Sequence, residues 1–151
     1  MKISAAALDA LKKSEGFRGE VYKDEAGIDT IGFGHLLTAA DKASGQFNLC
    51  ITEATASDLL QQDLAFAELA VTELVTVELK QNQFDALVDF VFNVGEPKFR
   101  KSSLLRFLNA GSFDRVPGEL RRWNKVHVGG AVRESKGLTR RREREVAWWG
   151  R

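Results

Sequence analysis

The 151-residue chain has one cysteine, one methionine, one tyrosine, two prolines and two histidines. A lone cysteine excludes an intrachain disulfide. A chain of this length needs none, because it buries about two-thirds of its unfolded surface on folding. Cys50 is expected in the core as a small hydrophobe. A nucleophilic cysteine would require a histidine partner, and only His35 and His127 exist. Ninety-one residues separate those two histidines, and no His-Glu-x-x-His spacing occurs. Zinc hydrolysis is therefore disfavoured, and neither metal nor cofactor is expected. No run approaches the ~18 apolar residues of a membrane span, so no membrane insertion is expected. Charge interrupts the amino-terminal apolar run at Lys2 and Asp9, which predicts cytoplasmic synthesis without an export signal. Net charge is only +1, which argues against a uniformly basic nucleic-acid binder.

What is present fits one compact domain. Hydrophobic residues make up 44% of the chain, with ten Phe and three Trp to build a core. Trp123, Trp148 and Trp149 are expected in that core. Charge is unevenly spread. Residues 1–95 hold seven Lys and Arg against fifteen Asp and Glu, while residues 96–151 hold fifteen against six. The two parts carry −8 and +9, which suggests an acidic face and a basic face.

Periodicity places the elements. Ile3, Ala7, Leu8 and Leu11 mark a helix over residues 4–14, with Ser4 as cap and Gly16 as stop. Residues 17–35 carry four glycines between short runs, which reads as a hairpin or meander turning near Asp24-Glu25-Ala26-Gly27. Residues 36–51 and 124–138 read as loops. Thr52 caps a long helix bearing Leu60, Leu64, Ala67 and Val71. Further helices run from Gln81 to Asn93, from Ser102 or Ser103 towards Gly111, after Pro117, and from Arg140 to Trp149 with Thr139 as cap. The order is helix, small sheet, then many helices, an α+β plan.

Two of the 21 acidic residues stand out by context. Glu15 sits at the end of the first helix and Asp24 beside the hairpin turn. A helix end facing a hairpin makes a cleft. Two carboxylates across a cleft suit glycoside hydrolysis, one protonated to donate to the leaving oxygen and one ionised. Gly32-Phe33-Gly34 is no dinucleotide fingerprint, since Leu37 stands where a third Gly is required.

Eight residues separate Glu15 from Asp24, and five separate Asp24 from Thr30. This spacing resembles the catalytic pattern of the phage-type lysozymes, glycoside hydrolase family 24. The surroundings agree: Glu15-Gly16, Tyr22-Lys23-Asp24, and Thr30-Ile31-Gly32-Phe33-Gly34-His35-Leu36-Leu37-Thr38. The resemblance continues through Gln81–Leu87, Phe92-Asn93-Val94-Gly95, Leu120-Arg121-Arg122-Trp123 and Gly137–Glu143, so it covers nearly the whole chain.

The resemblance implies a lysozyme-like fold. A small lobe over residues 15–55 would face a larger all-helical lobe formed by residues 56–151 and the first helix, with a cleft between them. It implies peptidoglycan glycan strands as substrate. Glu15 would be the general acid, Asp24 the ionised carboxylate and Thr30 the holder of the attacking water. Tyr22, Gly32, Phe33, Gly34, His35, Asn93, Gly95, Arg141 and Arg142 would line the substrate site. His35 would orient a carboxylate or carbonyl, and Arg141 or Arg142 would reach towards the catalytic Glu. The family outcome is inversion, which requires a carboxyl separation of roughly 6.5–9.5 Å. A monomer is expected, with a holin-type pore giving access to the wall. Two rivals stay open: a lytic transglycosylase using one Glu, and a non-catalytic module binding wall or nucleic acid through residues 96–151. Host-cell lysis at phage release is the expected setting, with a prophage remnant or a secreted antibacterial effector as alternatives.

Overall fold

A computed structural model describes residues 1–151. It divides into two compact units, Leu8–Leu64 and Met1–Ala7 with Ala65–Arg151. The boundaries fall inside two helices, α1 (Ala5–Glu15) and α3 (Glu53–Leu74). The architecture is α+β, as the element order implies.

The unit Leu8–Leu64 holds a three-stranded antiparallel sheet of β1 (Arg18–Lys23), β2 (Asp29–Gly32) and β3 (His35–Leu36), in the order β1-β2-β3. Tyr22 lies opposite Thr30, and Thr30 opposite Leu36. Leu11, Ile31, Phe33, Phe47, Ala56, Leu60 and Leu64 are buried. The stretch expected as a loop over 36–51 instead carries α2 (Ala39–Ser44). This helix buries no residue, so it has no apolar stripe to read. Its signature is the Thr38–Asp41 capping box, in which each side chain accepts the other's backbone N–H. Cys50 also departs from expectation. It is exposed, and its thiol donates to Glu20 Oε1 at 3.3 Å. That hydrogen bond to a carboxylate raises the thiol pKa and weakens any nucleophilic character.

The other unit is built around α4 (Gln81–Val94), buried without interruption from Phe84 to Val91. It also contains α5 (Glu96–Arg100), α6 (Ser103–Asn109), a 3₁₀ turn at Phe113–Arg115, α7 (Val116–Arg121) and α8 (Lys136–Trp149). The chain start is tied down here. Glu68 accepts from Ile3 N and Lys2 Nζ, and Asp85 accepts from the backbone and hydroxyl of Ser4. Ser4 also accepts from Ala7 N at 3.2 Å, the cap foreseen for α1. Trp148 and Trp149 are buried as expected, and Trp123 meets the Phe90 ring edge-on.

This unit is not all helical, contrary to expectation. Residues 124–138 contain a hairpin of β4 (Lys125–Val128) and β5 (Ala131–Glu134), paired Val128 to Ala131 across Gly129-Gly130. Both glycines have positive φ, 58° and 79°, as a two-residue type I′ turn requires. Nearly every hairpin residue is exposed, so no buried face imposes an apolar alternation. The last helix also starts earlier than expected, at Lys136. Its cap is Ser135, whose hydroxyl accepts from Leu138 N, while Thr139 donates to Ser135 O from within the first turn.

Candidate active site

All three residues singled out for catalysis fall in the unit Leu8–Leu64. Glu15 is the last residue of α1. Gly16 follows at φ 70°, and its N–H returns to Lys12 O at 3.0 Å to end the helix. The carboxylate then meets Gly34, at φ 86°. A Cβ on Gly34 would lie 3.1 Å from Glu15 Oε2. Only glycine lets the backbone come so close to this carboxyl group while holding a left-handed conformation.

Asp24 organises the turn that follows β1. Its Oδ1 accepts from Ala26 N at 2.9 Å and Ile28 N at 2.8 Å. Its backbone N–H donates to Ile28 O, and Gly27 N donates to Asp24 O. These hydrogen bonds from the backbone fix the direction of the carboxylate. Thr30 lies in the middle strand, buried, with its hydroxyl donating to Ile28 O at 2.9 Å. The Asp24 turn and the Thr30 hydroxyl thus share Ile28 as an anchor. Beside them, Asp29 is clasped by Lys23 at 2.6 Å and Lys42 at 2.7 Å, which lowers its pKa to about 2.

The residues expected around this trio separate into two groups. Tyr22 stands opposite Thr30, half-buried, with Arg18 stacked 4.4 Å over its ring. His35 Nδ1 is 2.8 Å from Asp63 and its Nε2 is 3.6 Å from Asp41. The hydrogen bond to Asp63 raises the His35 pKa, with burial opposing. His35 therefore does pair with carboxylates. Phe33, however, is buried against Phe17, with Lys12 over its ring, and offers no face to a sugar. It is a core residue. Gly32 is small for packing, since a Cβ there would sit 3.0 Å from the Ala56 Cβ.

In the other unit, Gly95 terminates α4 at φ 85°, its N–H bonded to Val91 O. Asn93 Oδ1 accepts from Arg142 Nη2 at 2.9 Å. Arg142 is only 1% exposed, held also by Glu145, so it is an interior strut with no accessible surface for a sugar. Arg141 keeps a partly accessible side chain. Sequence reasoning missed Asp63, Asp89 and Glu145. Asp63 gave no signal, lying 28 residues from His35 on a helix with many acids. Asp89 did give one: it interrupts the apolar run Ala86–Phe92 on a helix buried nearly all round.

The phage lysozyme family model matches residues 12–145. The endolysin of Salmonella phage P22 is 38% identical over 147 residues, covering 97% of both chains. Among solved structures, the endolysin from Escherichia coli O157:H7 phage FAHEc1 superposes with a TM-score of 0.86 at 34% identity, over 99% of this chain and 93% of that one. The muramidase domain of SpmX from Asticaccaulis excentricus gives 0.84 at 34% identity, over 98% and 97%. Fold and matches together define a lysozyme-type glycoside hydrolase that degrades peptidoglycan. The chain belongs to the phage lysozyme family.

Proposed function

We propose that the protein is a muramidase that hydrolyses the β-1,4 bond between N-acetylmuramic acid and N-acetylglucosamine. Glu15 is the general acid that protonates the glycosidic oxygen. Asp24 stays ionised, opposes the positive charge of the oxocarbenium-like transition state and orients water. Thr30 holds that water through its hydroxyl. Tyr22, Gly34 and His35 shape the sugar-binding surface around these three.

The observation that carries this reading is the fixed placement of both carboxylates in the same unit as Thr30. Asp24 accepts two backbone N–H bonds on one oxygen, which hold the carboxylate in a fixed direction at the end of β1. Glu15 ends α1 against the backbone of Gly34, where an added Cβ would lie 3.1 Å from its Oε2. The likeness to the SpmX muramidase domain supports the assignment.

The setting we propose is host-cell lysis at phage release. The enzyme is made in the host cytoplasm, acts as a monomer, and reaches the wall through a holin-type pore. No helix is long and apolar enough to cross a membrane. Glu15→Gln tests the assignment. The variant should fold as the parent does and leave a zymogram of embedded cell wall uncleared. Clearing at the parent rate would end the assignment. Retention of the unsubstituted protein without clearing would favour the non-catalytic binder.

A further inference from the structure

The unit Leu8–Leu64 contains a single arginine, Arg18, at the start of β1. The residue is exposed, yet its guanidinium lies flat against the protein, 4.4 Å from the centre of the Tyr22 ring. No carboxylate claims it. Glu20, two residues on, accepts instead from the Cys50 thiol. Asp24 accepts on Oδ1 from the backbone of its own turn, and Asp29 is held by Lys23 and Lys42.

The sheet is shaped to make this contact. Residues four apart in a regular strand stand roughly 13 Å apart along it, well beyond the spacing of neighbouring side chains. In β1 the register with β2 shifts between Arg18 and Tyr22. Arg18 pairs with Gly32 and Tyr22 with Thr30, so a four-residue step along β1 is set against a two-residue step along β2. A two-residue step covers roughly 7 Å, the distance between neighbours on one face. The surplus stretch carries Gly19, whose carbonyl accepts from Ile51 N and on which a Cβ would lie 3.0 Å from the Ile51 carbonyl oxygen. A bulge re-aims a side chain, and here it brings Arg18 onto Tyr22. Tyr22 stands directly opposite Thr30, so the two side chains share one face of the sheet. Burial raises the Tyr22 pKa most, the Arg18 charge opposes that rise, and the Asp24 charge adds to it.

We propose that Arg18 is a positioning residue of this site: its guanidinium, stacked on the Tyr22 ring, holds that ring in place beside Thr30 and Asp24. The inference rests on the reading of Tyr22 as part of the sugar-binding surface. A planar guanidinium covers an aromatic face as an ammonium does not, so the shape of the group matters as well as its charge. Without the stack, one face of a half-buried ring is left to water and the ring is free to change rotamer.

Tyr22 is the only tyrosine, so tyrosinate absorbance after a rapid alkaline pH jump reports on this position alone. Arg18→Met should raise the Tyr22 pKa and Asp24→Asn should lower it. On purified peptidoglycan, Arg18→Met should lower kcat/KM roughly 3- to 10-fold. Arg18→Lys keeps the charge and loses the plane. It should leave the Tyr22 titration close to the parent's and still lose activity nearly as Arg18→Met does. In a Tyr22→Leu background, which itself lowers kcat/KM, Arg18→Met should cost nothing further, because both act through one ring. Tyr22→Phe keeps the ring, and there Arg18→Met should still show its loss. Arg18 is exposed, so thermal unfolding of its variants should match the parent's closely. Parental kcat/KM in Arg18→Met overturns the inference. A Tyr22 titration indifferent to that substitution overturns it too, because the stack would then be absent in solution. Arg18→Lys at parental kcat/KM does the same by reducing the role to charge, as do losses from Arg18→Met and Tyr22→Leu that multiply. Failure of the underlying reading looks different: Tyr22→Leu would keep parental kcat/KM while Glu15→Gln is inactive.

Discussion

At Gly34 a single backbone position serves conformation and chemistry together. Its φ of 86° and its contact with Glu15 impose separate penalties on any side chain. Gly34→Ala should lose about 1–3 kcal/mol of stability from the left-handed backbone. Its turnover should fall roughly tenfold or more, because the new methyl displaces the acid. Gly111→Ala supplies the control, since Gly111 has a similar φ of 77° and open space around it. It should lose comparable stability and keep its turnover, as urea titrations and initial rates will show. His35 is the second test at this scale. Its folded pKa is raised by the hydrogen bond to Asp63, so the stabilisation is complete below the unfolded value of about 6.5. It is lost as pH rises through the higher folded value. Asp63→Asn should therefore be less stable than the parent by about 1–2 kcal/mol near pH 6, with the gap closing on the alkaline side. A gap that widens with rising pH would contradict the charged pair. The sequence pointed to His35 as an orienting group, but its partners depend on tertiary contact. Phe33 shows the converse failure: it stands inside the motif, yet its burial is decided by Phe17 and the fold.

Elements were legible where a buried stripe or a cap marks them and illegible where neither does. α1, α3 and α6 have both, with Ser4, Thr52 and Ser102 as caps, and α4 has the buried stripe; each lies where periodicity places it. α2 and the β4–β5 hairpin are exposed, so no core selects an apolar pattern in them. α8 starts one turn before the position the sequence suggests, because Ser135 and Thr139 are both acceptable caps. The geometry discriminates between them. Ser135→Ala removes the hydroxyl that accepts from Leu138 N and should cost about 1–2 kcal/mol. Thr139→Ala removes a hydroxyl that donates back to the Ser135 carbonyl and should cost less. Chemical denaturation of the two variants would settle the order, and a larger loss for Thr139→Ala would restore the later start.

Across the molecule, the split of charge between an acidic first part and a basic second part does not translate into two plain faces. Arg141, Arg142 and Arg144 are spent on Asp89 and Glu145, and Arg121 pairs with Glu143 on the surface. Glu68 and Asp85 of the acidic part tether Lys2, Ile3 and Ser4. What composition presents as a field is to a large extent internal pairing, which only the fold reveals. The catalytic reading depends less on charge than on the placement of Glu15, Asp24 and Thr30 within one unit. Its chemical content is hydrolysis: water is added across the glycosidic bond. The most direct test is the mass of the fragments released from purified peptidoglycan. The account predicts reducing-end muramic acid carrying one added water, produced by the parent and absent with Glu15→Gln. Anhydro-muramic ends in place of these, lighter by that water, would contradict it and assign the protein to the transglycosylases.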